Sequence, residues 1–204
     1  MQAERWTLGF DTSAAHCAAA LLHGNRLIEA RAEEMNKGQA ERLMPLLDEM
    51  LTRAGIGWRD LAVIGVGIGP GNFTGVRISV SAARGLALAL AVPAVGVSTL
   101  DALAEGQPRP LRAQIDARRD EVYVQDFTAT GAGTPQMMPR TQADTEAAQC
   151  GIPLREGIAP ADLACAIARL ATARADTPQP RPAPLYLRSA DAAPPSDPPP
   201  VILD

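Results

Sequence analysis

Two stretches of the sequence have the residue types of a phosphate-binding site. The stretch GPGNFTGVRIS, residues 69–79, holds three glycines and a proline in its first seven residues, and Arg77 follows one turn into a helix. Free amides at a helix start bind anions. The loop nevertheless lacks the lysine of a Walker loop, and its glycines miss the GxGxxG spacing of a dinucleotide fold. It indicates a sharp strand-to-helix turn, with phosphate binding as the alternative.

The second stretch, DTS at residues 11–13, fits a nucleotide site only in part. The first hairpin of actin-like kinases carries an acidic residue followed by a glycine-containing turn that grips phosphates and a metal. Here Asp11 and Thr12 are present, but Ser13 stands where glycine is needed, and its Cβ hinders a close backbone approach. In DARRDEVY, Arg118 lies among acidic residues, which is typical of a charged turn. The candidates for cofactor binding are therefore Asp11, Thr12 and Arg118.

The sequence predicts neither catalytic residues nor a metal site. No arrangement resembles a Ser/His/Asp triad. The positions of an HxxxH pair on the first predicted helix hold Gln39 and Leu43, and the three cysteines show no CxxC spacing. We therefore expect that the chain holds no metal and no cofactor by itself.

Composition restricts the class of protein. The chain has 204 residues, of which 47% are apolar, and a formal net charge of -4. This balance argues against binding nucleic acid through a basic surface of its own. The first ten residues lack the apolar core of a signal peptide, and Pro93 interrupts the longest apolar run. We expect a cytoplasmic protein without a membrane span.

Apolar periodicity predicts an α/β protein. The chain begins with a meander of three strands, with a turn at Gly24. An amphipathic helix follows and ends at Gly55. Next come a strand buried on both faces and a second helix from Gly75 to Leu90. This βββαβα order is typical of an actin-like (ASKHA, RNase H-like) lobe, and the rest of the chain has room for a reduced second α/β lobe. We assign residues 1–97 to the first lobe and residues 98–176 to the second.

The remaining segments are less regular. A strand, a short helix capped at Ser98 or Thr99, and two strands around a charged turn are predicted before residue 129. Residues 129–155 show loops and at most one strand, and a helix begins at Pro160. From Thr177 the chain is a proline-rich tail, 177–204, in which APLYLRSA is the one candidate for an edge element.

The second predicted helix indicates a protein–protein interface. It is apolar on nearly all sides and carries a small-residue stripe at Ser81, Ala82 and Gly85. Leu46, Leu47 and Met50 of the first helix are expected nearby. Two such helices from each of two chains would form a four-helix interface; the alternative is that both pack only on their own sheet.

Several segments together resemble one family. LGFDTSAAHCAAAL, AERLMPLLDEML, GIGPGNFTGVRIS, GLALALAVPAVGVSTLDALA, IDARRDEVYV and PLYLR occur in the order seen in the bacterial TsaB (YeaZ) family. That family supplies the dimerisation subunit for the synthesis of N6-threonylcarbamoyladenosine at position 37 of tRNA. The likeness covers residues 8–128 and resumes near residue 185, whereas residues 130–180 match poorly and are shortened.

The resemblance implies a subunit without catalysis of its own. It implies pairing with a TsaD-type transferase that holds the metal, an accompanying TsaE-type ATPase, a homodimer when the chain is alone, and contact with tRNA only through the complex. Adenine nucleotide at the partner interface stays open. The expected interface comprises Leu43, Leu46, Leu47, Met50, Gly71, Asn72, Phe73, Thr74, Arg77, Ser81, Arg84 and Leu88.

Two other functions remain open on the sequence. One is a nucleotide-dependent phosphotransferase of the actin-like class, against which Ser13 and the missing second phosphate site count. The other is an M22-type peptidase, against which the missing metal pair and triad count.

Overall fold

The computed structural model describes residues 4–187. The chain opens with strands β1 (Trp6–Asp11), β2 (His16–His23) and β3 (Arg26–Glu34), which pair antiparallel as predicted. The turn between β2 and β3 uses Gly24 at φ +59°, a conformation that glycine adopts without steric cost. Strand β4 (Leu61–Gly67) lies parallel to β1, and β5 (Ala94–Val97) lies parallel to β4.

These strands form one sheet in the order β3-β2-β1-β4-β5. Helix α1 (Gln39–Arg53) connects β3 to a short 3-10 turn before β4, and helix α2 (Phe73–Leu90) connects β4 to β5. The βββαβα order of an actin-like lobe is therefore confirmed.

Helices α1 and α2 cover one face of this sheet. Their core contains Leu8 and Phe10 of β1 together with Leu46 and Leu47 of α1, all fully buried. The end of α1 follows the sequence prediction: Gly55 has φ +70°, its amide donates to the Thr52 carbonyl, and the next amide donates to the Leu51 carbonyl. That pair of bonds is the Schellman motif.

Helix α5 (Pro160–Arg174) covers the opposite face. Two strand glycines let it approach closely. A Cβ on Gly9 would lie 2.7 Å from the Ala168 amide nitrogen, and one on Gly65 would lie 2.8 Å from the Ala171 Cβ. Alanines on the helix and glycines on the strands therefore bring two backbones together along the middle of the sheet.

The second sheet follows the order β10-β6-β7-β8, with β9 also paired to β7. Short helix α3 (Thr99–Ala104), which Ser98 caps, leads into it. Its members are β6 (Leu111–Arg118), β7 (Glu121–Thr128), β8 (Gly131–Ala132), β9 (Gln136–Pro139) and β10 (Leu154–Glu156). The predicted boundaries of the lobes stay a prediction, and α5, from the segment assigned to the second lobe, packs on the first sheet.

Helix α4 (Arg140–Cys150) was not predicted from the sequence. It buries only Ala143 and Ala147, so it has no apolar stripe for a pattern to reveal. Hydrogen bonds of a buried arginine hold this helix in place instead. The half-exposed Asp126 receives two hydrogen bonds from the buried Arg112, at 2.6 and 2.8 Å, and the same guanidinium donates to the Ala143 carbonyl of α4 at 2.9 Å.

Pro45 lies inside helix α1. Residues 177–187 form neither helix nor strand, as their prolines predict. The rest of the predicted tail, including the final dozen residues expected to be extended or disordered, lies outside the described residues.

Helix α2 has the length and composition of a membrane span, with 18 residues and a mean hydropathy of 1.2. The core helix of a soluble protein meets the same criteria, so one such helix is weak evidence for a membrane protein. In this chain α2 packs on β4 through Val76 and Val80 and carries Arg77 and Arg84 elsewhere on its surface.

Candidate functional site

In the hairpin between β1 and β2, one carboxylate oxygen of Asp11 accepts hydrogen bonds from within the hairpin. Asp11 is fully buried, and its Oδ2 accepts hydrogen bonds from the Ser13 amide at 2.7 Å and the Ser13 hydroxyl at 2.8 Å. The same oxygen lies 2.9 Å from His16 Nε2. Oδ1 has no hydrogen-bond partner among the described residues and faces Gly67, where a Cβ would overlap it. The hairpin thus turns its acidic group inward.

The glycine-rich loop packs directly on this hairpin. A Cβ on Gly71 would lie 2.5 Å from the Ser13 carbonyl oxygen, and one on Gly75 would overlap the Thr12 carbonyl oxygen. The Asn72 amide donates to the Ser13 carbonyl at 2.6 Å, and the Thr12 hydroxyl donates to the Gly75 carbonyl at 2.7 Å. Two of the loop's three glycines therefore permit contact between two backbones.

The same packing determines where α2 begins. Asn72 caps the helix, because its side-chain oxygen accepts a hydrogen bond from the Gly75 amide at 2.9 Å. With the preceding loop bound to the hairpin, the first turn of α2 has a fixed position. Phe73 and Thr74 are consequently held at the surface, where both are exposed.

The three candidates for cofactor binding are not brought together. A cleft of about 1140 Å³ lies between the first hairpin and the second sheet, and Arg118 lines it. Asp11 and Thr12 do not line it, since both are fully buried behind Ser13. The sequence pattern could not distinguish an acidic group facing the cleft from one facing the hairpin interior.

The turn that brings Arg118 to the cleft has an unusual backbone. Arg118, Arg119 and Asp120 have φ values of +64°, +54° and +58°, a region that residues with a Cβ rarely occupy. The Arg118 amide donates to Asp116 Oδ2 at 3.3 Å. The predicted charged turn is thus confirmed.

Gln39 and Leu43, which occupy the positions of an HxxxH metal pair, lie at the start of α1. The Gln39 side-chain amide donates to the Met35 carbonyl at 3.0 Å, and Leu43 lies in the core. Within residues 4–187, no group of three or more His, Cys, Asp or Glu side chains is placed to hold a metal ion.

On the outer side of α2, several side chains are exposed to solvent and do not pack in the core. Phe73, Arg77, Ser81, Arg84 and Leu88 follow one stripe at helical spacing, and four of them are exposed, Arg84 being half-buried. Leu88 is 82% exposed and Phe73 is 47% exposed. The small residue Gly85 meets nothing within 4 Å at its Cβ position. Phe73 and Leu88 lie at the two ends of this stripe, and Arg77, Ser81 and Arg84 lie between them.

A shallow groove of about 480 Å³ separates α1 from α2. Ala40 and Met44 of α1 are exposed at its edge, and Thr74 and Ser81 of α2 form the other side. Together, the stripe and this groove constitute what we call the α2 face.

The structure corrects the predicted contribution of α1. Leu43, Leu46, Leu47 and Met50 are at most 1% exposed, because the apolar side of α1 packs against β1 and β2 of its own chain. Of the four, only Leu43 lines the groove between α1 and α2. The groove-lining residues that sequence reasoning missed, Ala40 and Met44, lie on the adjacent side of the helix.

Sequence reasoning also missed Tyr186 as a neighbour of the α2 face. Its ring stacks on Phe73 with the centroids 5.1 Å apart, and Arg77 Nε donates to its hydroxyl at 2.8 Å. The segment PLYLR was noted for its likeness to a family and as part of a candidate edge element, but no local pattern links it to a helix 109 positions earlier.

A charged cluster, separate from the α2 face, ties α1 to β3. Arg42 donates to Glu33 at 2.6 Å through Nε and to Glu49 at 2.6 Å through Nη1. Hydrogen bonds from Arg42, and then from Arg31, lower the pKa of Glu49 to about 2. The Arg42 hydrogen bond likewise lowers the pKa of Glu33.

The chain matches the family model described as TsaD, tRNA N6-adenosine threonylcarbamoyltransferase, over residues 32–187. It is similar to the Escherichia coli tRNA threonylcarbamoyladenosine biosynthesis protein TsaB, with 37% identity over 125 residues, which are 59% of this chain and 54% of that protein. The Haemophilus influenzae TsaB is 36% identical over 121 residues, 57% of this chain and 51% of that protein. The chain thus spans about half the length of the curated relatives it matches.

A solved structure resembles a larger part of the chain. YeaZ from Pseudomonas aeruginosa is similar with a TM-score of 0.69 and 29% identity, and the match covers 90% of this chain and 100% of that one. The resemblance therefore includes both sheets described above.

Proposed function

Since the chain belongs to the family that the TsaD model describes, and within it to the TsaB/YeaZ proteins, we propose that it acts in tRNA threonylcarbamoyladenosine biosynthesis as a partner subunit without catalysis of its own. Its partner in this proposal is a TsaD-type threonylcarbamoyltransferase. The observation that carries the proposal is the α2 face, which leaves Phe73 and Leu88 in contact with solvent.

The chemistry of the α2 face favours a protein partner. Its apolar residues surround two charged residues, Arg77 and Arg84, and α2 carries no acidic residue. Apolar anchors with arginines among them are typical of the centre of an interface. A matching partner surface would be an apolar helical face with carboxylates opposite the arginines.

The hairpin supports a role without nucleotide turnover. The Asp11 oxygen that accepts hydrogen bonds is already bound to Ser13 and lies beside His16, and the glycine-rich loop occupies the space above the hairpin with backbone. The Asp11 carboxylate does not line the cleft, whereas Ser13 and residues 70–75 of the glycine-rich loop do. The loop serves in this proposal to place α2 for docking.

The wider complex is part of the same proposal. A TsaE-type ATPase joins the pair, tRNA is contacted through the complex, and the place for an adenine nucleotide is where the subunits meet. A second copy of the chain uses the α2 face when the partner is absent. We place the assembly in the cytoplasm.

The test is association with the TsaD-type protein of the same genome, measured by calorimetry and sedimentation velocity. A hot-spot loss weakens binding by about 30-fold or more, so Ser81→Arg and Leu88→Asp should each reduce affinity to that extent. Both positions are exposed, so the folded chain should persist.

Leu27→Asp is the matched control, since Leu27 is an exposed leucine on edge strand β3. This variant should bind as the wild type does. Undiminished binding by Ser81→Arg and Leu88→Asp would refute the assignment of the face.

The open cleft favours a phosphotransferase as the second candidate, because Arg118 and Arg119 line it. Nucleotide turnover by the purified chain, lost on Arg118→Ala, would support that function over the first. The absence of turnover in the wild type, together with binding to the TsaD-type protein, would support the partner role.

A further inference from the structure

The segment 182–187, which we call the strap, joins the C-terminal part of the described chain to the start of α2. The Leu185 amide donates to the Ile68 carbonyl, just after β4, at 2.8 Å. Pro182 is buried, and its Cα would lie 3.6 Å from a Cβ on Gly96 of β5. The strap thus crosses the carboxyl ends of β4 and β5, and its position is determined by backbone contacts.

Tyr186 extends from the strap onto the α2 face. Its ring stacks on Phe73 at an interplanar angle of 29°, and the Arg77 guanidinium carbon lies 3.7 Å from the centroid of the Phe73 ring. The Tyr186 hydroxyl accepts the hydrogen bond from Arg77 Nε. The three side chains form one cluster in which each contacts the other two.

The cluster orients the arginine for a particular ligand. Among the described residues, Tyr186 is the only hydrogen-bond partner of the Arg77 guanidinium, and it occupies the Nε side. The two Nη groups therefore point away from the tyrosine, and a pair of Nη groups matches a carboxylate through two parallel hydrogen bonds. Arg77 is exposed, so a carboxylate of a docking protein can reach it.

We propose that Tyr186 is a positioning residue of the α2 face, which holds Arg77 ready for a carboxylate on the docking partner. This inference rests on the proposed function. An arginine free to rotate loses conformational entropy when a partner immobilises it, at a cost of about 0.5–1.5 kcal/mol for each such side chain. An arginine already held by Tyr186 and Phe73 has lost that freedom before the partner arrives.

The role predicts a specific dependence of affinity on the Tyr186 hydroxyl. Tyr186→Phe keeps the ring stack on Phe73 but removes the acceptor for Arg77 Nε. The entropy cost corresponds to a loss of about twofold to 13-fold in affinity for the TsaD-type protein. Arg77→Ala, which removes the charge itself, should lower affinity by about 30-fold.

A double-mutant cycle distinguishes positioning from a separate contact. If Tyr186 acts through Arg77, the variant carrying both Tyr186→Phe and Arg77→Ala binds as weakly as Arg77→Ala alone. Tyr123→Phe is the control, because Tyr123 is the other tyrosine and lines the cleft instead. Thermal unfolding monitored by circular dichroism should be alike for wild type and Tyr186→Phe.

The outcomes separate the two proposals. Wild-type affinity in Tyr186→Phe, or additive losses in the cycle, overturns the role of Tyr186 and leaves the proposed function intact. No association between the wild-type chain and the TsaD-type protein overturns the proposed function and this inference with it. Non-additive losses support both.

Discussion

The two helices on one face of the first sheet use their apolar residues differently. In α1 the large apolar side chains other than Met44 lie in one stripe, and that stripe is buried in the chain's own core. In α2 the apolar residues extend round the helix, so that Val76 and Val80 are buried while Leu88 is exposed. An amphipathic stripe therefore predicts an internal contact, whereas an apolar excess beyond the stripe predicts an external one.

The largest expected effect tests the internal role of α1. Leu47 is completely buried, so Leu47→Ala should lower the free energy of unfolding by about 2–5 kcal/mol, because it leaves a cavity in the core. Met44→Ala on the exposed side of the same helix and Leu88→Ala on α2 should each change it by about 0.5 kcal/mol or less. Urea denaturation followed by circular dichroism measures all three.

Equal stability losses in Leu47→Ala and Leu88→Ala would contradict the contrast between the helices.

A smaller effect compares two glycines of α2. Gly75→Ala places a Cβ on the Thr12 carbonyl oxygen, and such overpacking costs about 1–3 kcal/mol. Gly85→Ala meets no atom and should stabilise the helix by up to about 1 kcal/mol through its helix propensity. Thermal and urea unfolding of the two variants should shift in opposite directions.

A shift in the same direction for both variants would mean that α2 does not begin against the hairpin as described.

The smallest effect concerns the charged side of α1, which has no counterpart on α2. Glu49 has a pKa of about 2 because Arg42 and Arg31 donate hydrogen bonds to it, against an ordinary value of 4.5. A carboxyl with a lowered pKa stabilises the folded chain above its unfolded pKa, and the contribution disappears as pH falls towards the folded pKa. At pH 6 the thermal midpoint of the wild type should therefore be slightly higher than that of Glu49→Gln. The two midpoints should converge between about pH 4.5 and 2.

A difference that persists undiminished near pH 2 would show that Glu49 acts through packing and not through its charge.

Most elements could be predicted from the sequence because their side chains repeat with the period of a buried strand or helix. The meander, α1, β4, α2 and α5 all show such periods. Helix α4 does not, because Arg112 fastens it through hydrogen bonds to residues far apart in the chain. The glycine-rich loop was predicted as a turn, but the surface it packs against was not.

Part of the candidate site could also be predicted from the local spacing of residues. The α2 stripe from Phe73 to Leu88 follows from local spacing. Leu46, Leu47 and Met50 were expected at a partner interface but are buried in the chain's own core, because spacing reveals an apolar side and not what covers it. The contact of Tyr186 with Arg77 depends on the path of the strap, which no local pattern encodes.

The sequence by itself determined the order of the main elements, the end of α1 at Gly55, the start of α5 at Pro160, and the apolar excess of α2. These properties depend on residues within a few positions of one another, so composition and period are sufficient. Only the tertiary structure decided which apolar side stays in contact with solvent, where the Asp11 carboxylate points, and that the strap reaches Arg77. Those outcomes depend on contacts between distant segments, whose geometry exists only after the sheets and helices have packed.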